Sequence, residues 1–118
     1  MKAYVIAAET IKNQAMFDEY RKVVPETVAP FGGRFVARGG NLTVLEGEWP
    51  HSRLVIIEFP SLDQAKAFYA SPEYTAVKAL RQGAGSGIFV AVEGYGTAAW
   101  AQSLAASQAL DPPPAPNP

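Results

Sequence analysis

Arg-Leu-Val-Ile-Ile-Glu-Phe, residues 53–59, is the most apolar strand-like run of the chain, and Pro60 and a helix start at Ser61 follow it at once. Valine and isoleucine fall on both sides of the alternation, so neither face of this strand suits contact with water. We therefore predict a central strand. Its one acid, Glu58, is expected in a dry layer, where loss of hydration would raise its pKa toward the range useful for a general base.

The composition is that of one small domain. The chain has 118 residues, 48% of them hydrophobic, and is near the size at which self-association adds useful burial. Ten basic and eleven acidic side chains nearly cancel, and no basic patch is present, so neither nucleic acid nor a membrane surface is an expected partner. No run reaches the roughly 18 apolar residues of a membrane span, and we expect a cytoplasmic location.

The first part of the chain predicts a strand and a helix. Ala3 to Glu9 is strand-like and mainly apolar on both faces. Asn13 is the predicted N-cap of a helix that Pro25 closes, because proline lacks an N–H group and disfavours the helical conformation of the residue before it. A short second helical piece up to Pro30 is expected to follow.

The middle of the chain predicts a hairpin. In the strand Arg34 to Arg38, Arg34, Val36 and Arg38 alternate with Phe35 and Ala37. Gly39-Gly40-Asn41 is either a turn or a bulge, and we favour a bulge in a longer strand that resumes at Leu42 to Glu46. Such a hairpin would place Glu46 close to Arg53.

The second half predicts two helices and a last strand. Ser61 with Gln64 is typical of a capping box, and Ser71-Pro72 starts another helix that runs to about Arg81. Glycines then lead to a strand over Ile88 to Glu93. From residue 96 onward we expect an Ala-rich helix over Thr97 to Leu110, followed by an unfolded or polyproline tail.

The order strand, helix, strand, strand, helix, strand predicts an α+β fold of the ferredoxin-like, split βαβ type: a four-stranded antiparallel sheet with helices on one face. Residues 1–95 form this domain and residues 96–118 an extension. The other sheet face is also apolar, which would be a liability for a monomer. We therefore predict a homodimer that pairs two sheets face to face, a dimeric α+β barrel.

Seven segments at fitting spacings resemble the bacterial family called domain of unknown function 1330, of the dimeric α+β barrel superfamily: Tyr4 to Ile6, Phe31 to Phe35, Arg38 to Gly40, Leu45 to Trp49, Ile57 to Ser61, Phe68 to Tyr74 and Val92 to Gly94. The similarity covers Met1 to about Tyr95. It implies the fold and the dimer, and leaves the function open. Phe68 stands where the family usually has tryptophan.

Three residues are candidates for catalysis. Glu58 is the predicted base, the alternative being a structural ion pair or a hydrogen bond to a helix end. Arg38 and Arg53 could hold a substrate carboxylate or enolate through their planar donor groups. The alternative is that these arginines pair with Glu46 and Glu58.

Four further side chains are candidates for substrate binding. Tyr69 and Tyr74 could place hydroxyl groups at the mouth of a pocket between helix and sheet, or could instead be core residues. Trp49 and His51 lie in the loop before the central strand, and His51 is either an exposed loop residue or a base. One histidine and no cysteine make a metal site improbable, and the glycines lack the spacing of a dinucleotide loop, so no cofactor is expected.

Three functions from different classes fit this sequence. The first is a cofactor-independent enzyme, such as an isomerase, cyclase or oxygenase, that acts on a small acidic or phenolic metabolite with Glu58 as base. The second is a non-catalytic protein that binds a small ligand in the same pocket. The third is a structural or partner-binding homodimer whose C-terminal extension is the contact region.

Overall fold

A computed structural model describes residues 1–109 of the chain. The strands are β1 (Ala3–Ile11), β2 (Arg34–Arg38), β3 (Arg53–Phe59) and β4 (Gly85–Glu93). The helices are α1 (Gln14–Val28), α2 (Leu62–Ala70), α3 (Pro72–Ala84) and α4 (Thr97–Ala109), with a single 3-10 turn at Ala29–Phe31 after α1. The predicted unfolded tail, residues 111–118, and the predicted last residue of the Ala-rich helix, Leu110, lie outside the described residues.

The four strands form one antiparallel sheet in the order β2-β3-β1-β4. β1 and β3 are the inner strands, with Val5 opposite Ile57. The predicted central position of residues 53–59 and the ferredoxin-like plan are therefore confirmed. No helix within residues 1–109 combines the length and the apolar character needed to cross a membrane.

The core lies between one face of the sheet and the helices α1 to α3. Alternate residues of the inner strands point into it, and the aromatic side chains of the helices pack against them. Burial of one such large apolar side chain contributes about 1.5–3 kcal/mol. The core residues that define this layer are Val5, Ala7, Val55, Ile57 and Phe59 from the sheet and Phe17, Tyr20, Val24, Phe68 and Tyr74 from the helices.

The opposite face of the sheet is apolar and open. Ile88, Val90 and Val92 of β4 are 56%, 51% and 49% exposed, and Ile6 and Ile56 of the inner strands are only half-buried. The prediction that both faces carry apolar side chains is thus correct. We call this surface the open face.

The predicted helix starts are confirmed by their hydrogen bonds. The side chain of Asn13 accepts from the backbone N–H of Met16, and that of Ser61 accepts from Gln64. Ser71 caps α3 in the same way, with Pro72 in the first turn. These polar caps satisfy N–H groups that have no partner within the helix.

Pro25 does not close the first helix, contrary to the prediction. α1 continues through it to Val28, because the buried side chains of Val24 and Val28 hold both turns against the sheet. The proline leaves the carbonyl of Arg21, four residues earlier, without its helical N–H donor.

The predicted hairpin is also wrong in two respects. The bulge lies at Val36 within β2 rather than at residues 39–41, and it brings Arg38 opposite Val55. No strand forms over Leu42–Glu46, since that exposed segment meets no strand with which to pair among residues 1–109. Glu46 is therefore not the partner of Arg53, which pairs with Glu9 instead.

Candidate functional site

A narrow cleft lies between α1 and one end of the sheet. We call it the arginine cleft, because three arginines converge on it with one acid and one tyrosine: Glu9, Tyr20, Arg21, Arg38 and Arg53. Its walls are apolar, and they include Phe17, Val24, Phe35, Val55 and Phe89. Its interior space of about 20 Å³ is room for about one water molecule.

Glu9 is the buried acid of the cleft. It is 5% exposed and follows Val5 and Ala7 on the face of β1 that points toward the helices. Burial raises its pKa, and the positive charges of Arg53 and Arg81 oppose that rise. A carboxyl group held in this way can change protonation state closer to neutral pH than an exposed glutamate.

Arg53 faces Glu9, but the contact does not give every N–H group of Arg53 a hydrogen-bond acceptor. Its Nε lies 3.6 Å from Glu9 Oε1, which is an ion-pair distance and too long for a hydrogen bond. This buried Nε–H has no hydrogen-bond acceptor among residues 1–109. A buried N–H group without a hydrogen-bond acceptor destabilises the folded protein. An anion bound in the cleft would accept this hydrogen bond and remove the destabilisation.

Arg38 reaches the cleft because of the bulge at Val36. The extra residue turns Arg38 to the helix-facing side, where its guanidinium stacks 4.2 Å from the centre of the Phe35 ring. Its Nη2 donates to the backbone carbonyl of Arg21 at 2.7 Å. Burial lowers the pKa of Arg38, and the like charges of Arg21 and Arg53 lower it further.

A chain of buried hydroxyl groups lies behind the cleft. Tyr20 and Tyr74 share a hydrogen bond of 2.9 Å, and Arg81 Nε donates to the Tyr74 hydroxyl at 3.1 Å. Burial raises the pKa of both tyrosines, so both are held as neutral phenols. Tyr20 is thereby fixed as a wall of the cleft.

Glu58 does not lie in this cleft. It is on the open face, where it pairs with Lys2 at 3.0 Å and Arg34 at 3.2 Å. Its hydrogen bond from Lys2 is the main cause that lowers its pKa, so the predicted rise is wrong. The alternative given for Glu58, a structural ion pair, describes its contacts in the structure.

The four predicted binding residues do not form one site, although the rings of Tyr69 and Tyr74 pack together with their centroids 5.5 Å apart. Tyr74 is 0% exposed and belongs to the core, whereas Tyr69 is 37% exposed and lines a separate groove. His51 is half-buried and shares a hydrogen bond of 2.9 Å with Thr10. Its ring lies 6.4 Å from that of Trp49, in the segment between β2 and β3.

Of the predicted catalytic residues, the structure brings only Arg38 and Arg53 together. Sequence reasoning missed Glu9, although its place after Val5 and Ala7 on one strand face was a usable signal. Arg21 was missed as well, and only its helical spacing from Phe17 and Val24 hinted at it. Within residues 1–109, no three acidic or histidine side chains are grouped so as to hold a metal ion.

Comparisons with known proteins support the fold. The family model described as "Domain of unknown function (DUF1330)" matches residues 2–95. A solved protein of unknown function from Rhodopseudomonas palustris is 15% identical, with a TM-score of 0.65 over 79% of this chain and 82% of that chain. A dimeric ferredoxin-like protein of unknown function from Jannaschia sp. CCS1 is 12% identical, with a TM-score of 0.64 over 80% and 100% of the two chains.

A third solved structure, a dimeric protein of unknown function with a ferredoxin-like fold from Bacteroides fragilis, is 16% identical. Its TM-score is 0.55 over 79% of this chain and 96% of that chain. At these identities the likeness shows a common fold. No protein with a curated description matches the sequence.

Proposed function

The chain belongs to the DUF1330 family, whose description assigns no activity, and we propose that it binds a small organic anion in the arginine cleft. One observation carries the proposal: Arg21, Arg38 and Arg53 line the cleft, and Glu9 is the one acid among its lining residues, so the cleft has an excess of positive charge. The buried Nε–H of Arg53, which lacks an acceptor within residues 1–109, adds a donor for the anion. Planar guanidinium groups suit the oxygens of a carboxylate or an enolate.

We further propose that Glu9 exchanges a proton with the bound molecule, so that the protein is a cofactor-independent enzyme. Burial and the raised pKa support Glu9 in the role that the sequence suggested for Glu58. Arg38 and Arg53 would steady the negative charge that develops when the proton leaves the substrate. A non-catalytic binding protein would use the same arginines and would not need Glu9.

The third part of the proposal is a homodimer formed through the open face. The apolar side chains of β4 are half exposed there, and such a surface is a liability in a monomer. A second copy laid against the open face would bury Ile88, Val90 and Val92.

Anion binding is tested by a thermal-shift screen of small carboxylates and phenolates on the full chain. A ligand that binds the folded state raises the melting temperature with its concentration. We expect that shift to disappear in Arg38→Gln and to persist in Arg34→Gln, which makes the same change on the opposite sheet face. If every observed shift is the same in both variants, the arginine cleft is not the binding site.

Turnover separates the enzyme from the binder. With a bound anion in hand, Glu9→Gln keeps the volume of the side chain and removes the proton acceptor. An enzyme would retain binding in this variant and lose turnover by about 100-fold or more. Turnover equal to that of the native chain would eliminate Glu9 as the base. If no anion binds, the proposed function fails, and a structural or partner-binding dimer is the remaining candidate.

A further inference from the structure

Phe89 separates the arginine cleft from a second space. This second space, which we call the α2 groove, lies between α2 and the edge strand β4 and has a volume of about 300 Å³. Its lining is Val5, Ala65, Lys66, Tyr69, Phe89, Val90 and Ala91. Phe89 is the one residue that lines both the groove and the cleft. The two spaces are therefore neighbours with an aromatic ring between them.

The groove exists because small side chains line it. Ala65 of α2 and Ala91 of β4 leave the gap, and a space of about 300 Å³ is at the lower end of ordinary ligand pockets. The arginine cleft alone has room for about one water molecule. A molecule larger than a few atoms that reaches Arg38 and Arg53 therefore needs space beyond the cleft.

Phe89 is the residue whose movement would give that space. It lies on an edge strand, opposite only Ala7 of β1, and is half-buried. Its ring contacts Tyr69, with centroids 5.9 Å apart, and the Arg81 guanidinium lies 4.1 Å from its centre. Rotation of this ring would join the cleft to the groove without displacing a β-strand.

The charges around the groove favour an anionic ligand with a flat body. Lys66 lines it, and the Lys78 ammonium lies 4.8 Å from the centre of the Tyr69 ring. Among residues 1–109, no acidic side chain lines the groove. The ring of Tyr69 offers a face for stacking, which adds to the gain from burial.

We propose that the ligand is a flat aromatic acid whose anionic group meets Arg38 and Arg53 and whose ring body lies in the α2 groove. Phe89 sets the size of the ligand, because its ring must turn aside for the body to pass. This inference rests on the proposed function of the arginine cleft. It adds the class of the ligand and a second subsite to that function.

The test compares acetate with 2-naphthoate by NMR titration of the full chain. Both carry the same anionic group, and only 2-naphthoate has a body that would fill the groove. We expect 2-naphthoate to bind at least 10-fold more tightly than acetate. In Ala91→Leu, which fills the groove at an exposed position, that advantage should disappear while the affinity for acetate stays the same.

Two further variants complete the test. Phe89→Ala should bind 2-naphthoate several-fold more tightly than the native chain, because no ring has to turn aside. Ala76→Leu, the same change on the exposed surface of α3, should behave like the native chain. A 2-naphthoate to acetate ratio that is near one, or that Ala91→Leu leaves unchanged, overturns the inference.

The two proposals fail in different ways. If acetate binds and its binding depends on Arg38, but 2-naphthoate gains nothing, the anion site stands and the groove is not part of it. If neither acid depends on Arg38, the proposed function fails and the inference falls with it. Circular dichroism of each variant checks that the fold is intact.

Discussion

The guanidinium of Arg38 donates a 2.7 Å hydrogen bond to the backbone carbonyl of Arg21, which is the carbonyl that Pro25 leaves without a helical donor. A residue with an N–H at position 25 would compete for this acceptor through the regular helical bond. Pro25 thus frees the acceptor, and the bulge at Val36 brings the donor to it. Two local irregularities, on α1 and β2, combine to position one side chain of the arginine cleft.

Pro25→Ala should therefore stabilise the protein and weaken its anion site. The new N–H restores a helical hydrogen bond and removes a helix-interior proline, so we expect the free energy of unfolding to rise by about 1–3 kcal/mol. Arg38 then shares its acceptor with that N–H and is held less firmly, and anion affinity should fall several-fold, on the order of 1 kcal/mol. Urea unfolding and an anion titration measure the two effects.

Pro30→Ala is the matched control, because Pro30 lies beyond α1 in the 3-10 turn and the carbonyl four residues before it is that of Glu26, not the Arg21 carbonyl that Arg38 contacts. This variant should leave anion affinity unchanged. An affinity in Pro25→Ala equal to that of the native chain would show that the bond to Arg21 does not position Arg38.

The main features of the fold could be predicted because they follow from local patterns. The caps at Asn13, Ser61 and Ser71 have the residue types that such positions require, and residues 53–59 are apolar on both faces. The site could not be predicted in the same way. Strict alternation in β2 places Arg38 on the same face as Arg34, and nothing in the local sequence indicates the bulge at Val36 that separates them.

The predicted acid shows the same limit. Glu58 and Glu9 both lie in apolar strands. The sequence alone does not show which of them is buried and which forms ion pairs at the surface. Lys2 and Arg34 reach Glu58 across the sheet, a relationship that depends on strand order and register. Glu9 is buried because α1 covers it, and that packing is a property of the tertiary structure.

The two glutamates should make opposite contributions to stability as the pH changes. Burial raises the pKa of Glu9 above its ordinary 4.5, so the folded state holds its proton more firmly than the unfolded state does. Stability from Glu9 is then fully present below pH 4.5 and is lost as the pH rises through its folded pKa. Relative to Glu9→Gln, the native chain should become less stable as the pH rises from about 4.5 toward neutrality.

Glu58 is the control for this prediction. Its pKa is lowered, chiefly by the hydrogen bond from Lys2, so its contribution is present above pH 4.5 and is lost as the pH falls through its folded pKa. Relative to Glu58→Gln, the native chain should lose stability on acidification. Urea unfolding from pH 3 to pH 7 measures both differences, and slopes of the same sign would contradict the assignment.

Gly39→Ala should disturb the arginine cleft through the backbone. Gly39 has a φ of +70°, and a Cβ atom there would collide with the Arg53 guanidinium. Strain of this kind costs on the order of 1–3 kcal/mol, and the displacement of Arg53 should weaken anion binding as well. Thermal unfolding and the anion titration together detect the two losses.

Two neighbouring glycines separate the causes of that loss. Gly47 has a φ of +82° but open space around it, so Gly47→Ala should lose stability and keep anion affinity. Gly40 has neither a positive φ nor a close neighbour, so Gly40→Ala should match the native chain in both measurements. Equal anion affinity in Gly39→Ala and Gly47→Ala would show that contact with Gly39 does not fix Arg53.

Ile88→Glu should convert the proposed homodimer into a monomer. Ile88 is 56% exposed on the open face, beside Ala8 of β1, and two copies laid face to face would bury it. A glutamate buried there without a partner costs several kcal/mol, which exceeds the gain from one apolar side chain. Native mass spectrometry at micromolar concentration should show dimers for the native chain and monomers for this variant. Ala76→Glu introduces the same charge on the exposed side of α3 and should remain dimeric, because the helical layer faces away from the interface. A dimeric Ile88→Glu variant would mean that the subunits meet elsewhere and that the apolar side chains of β4 serve another purpose.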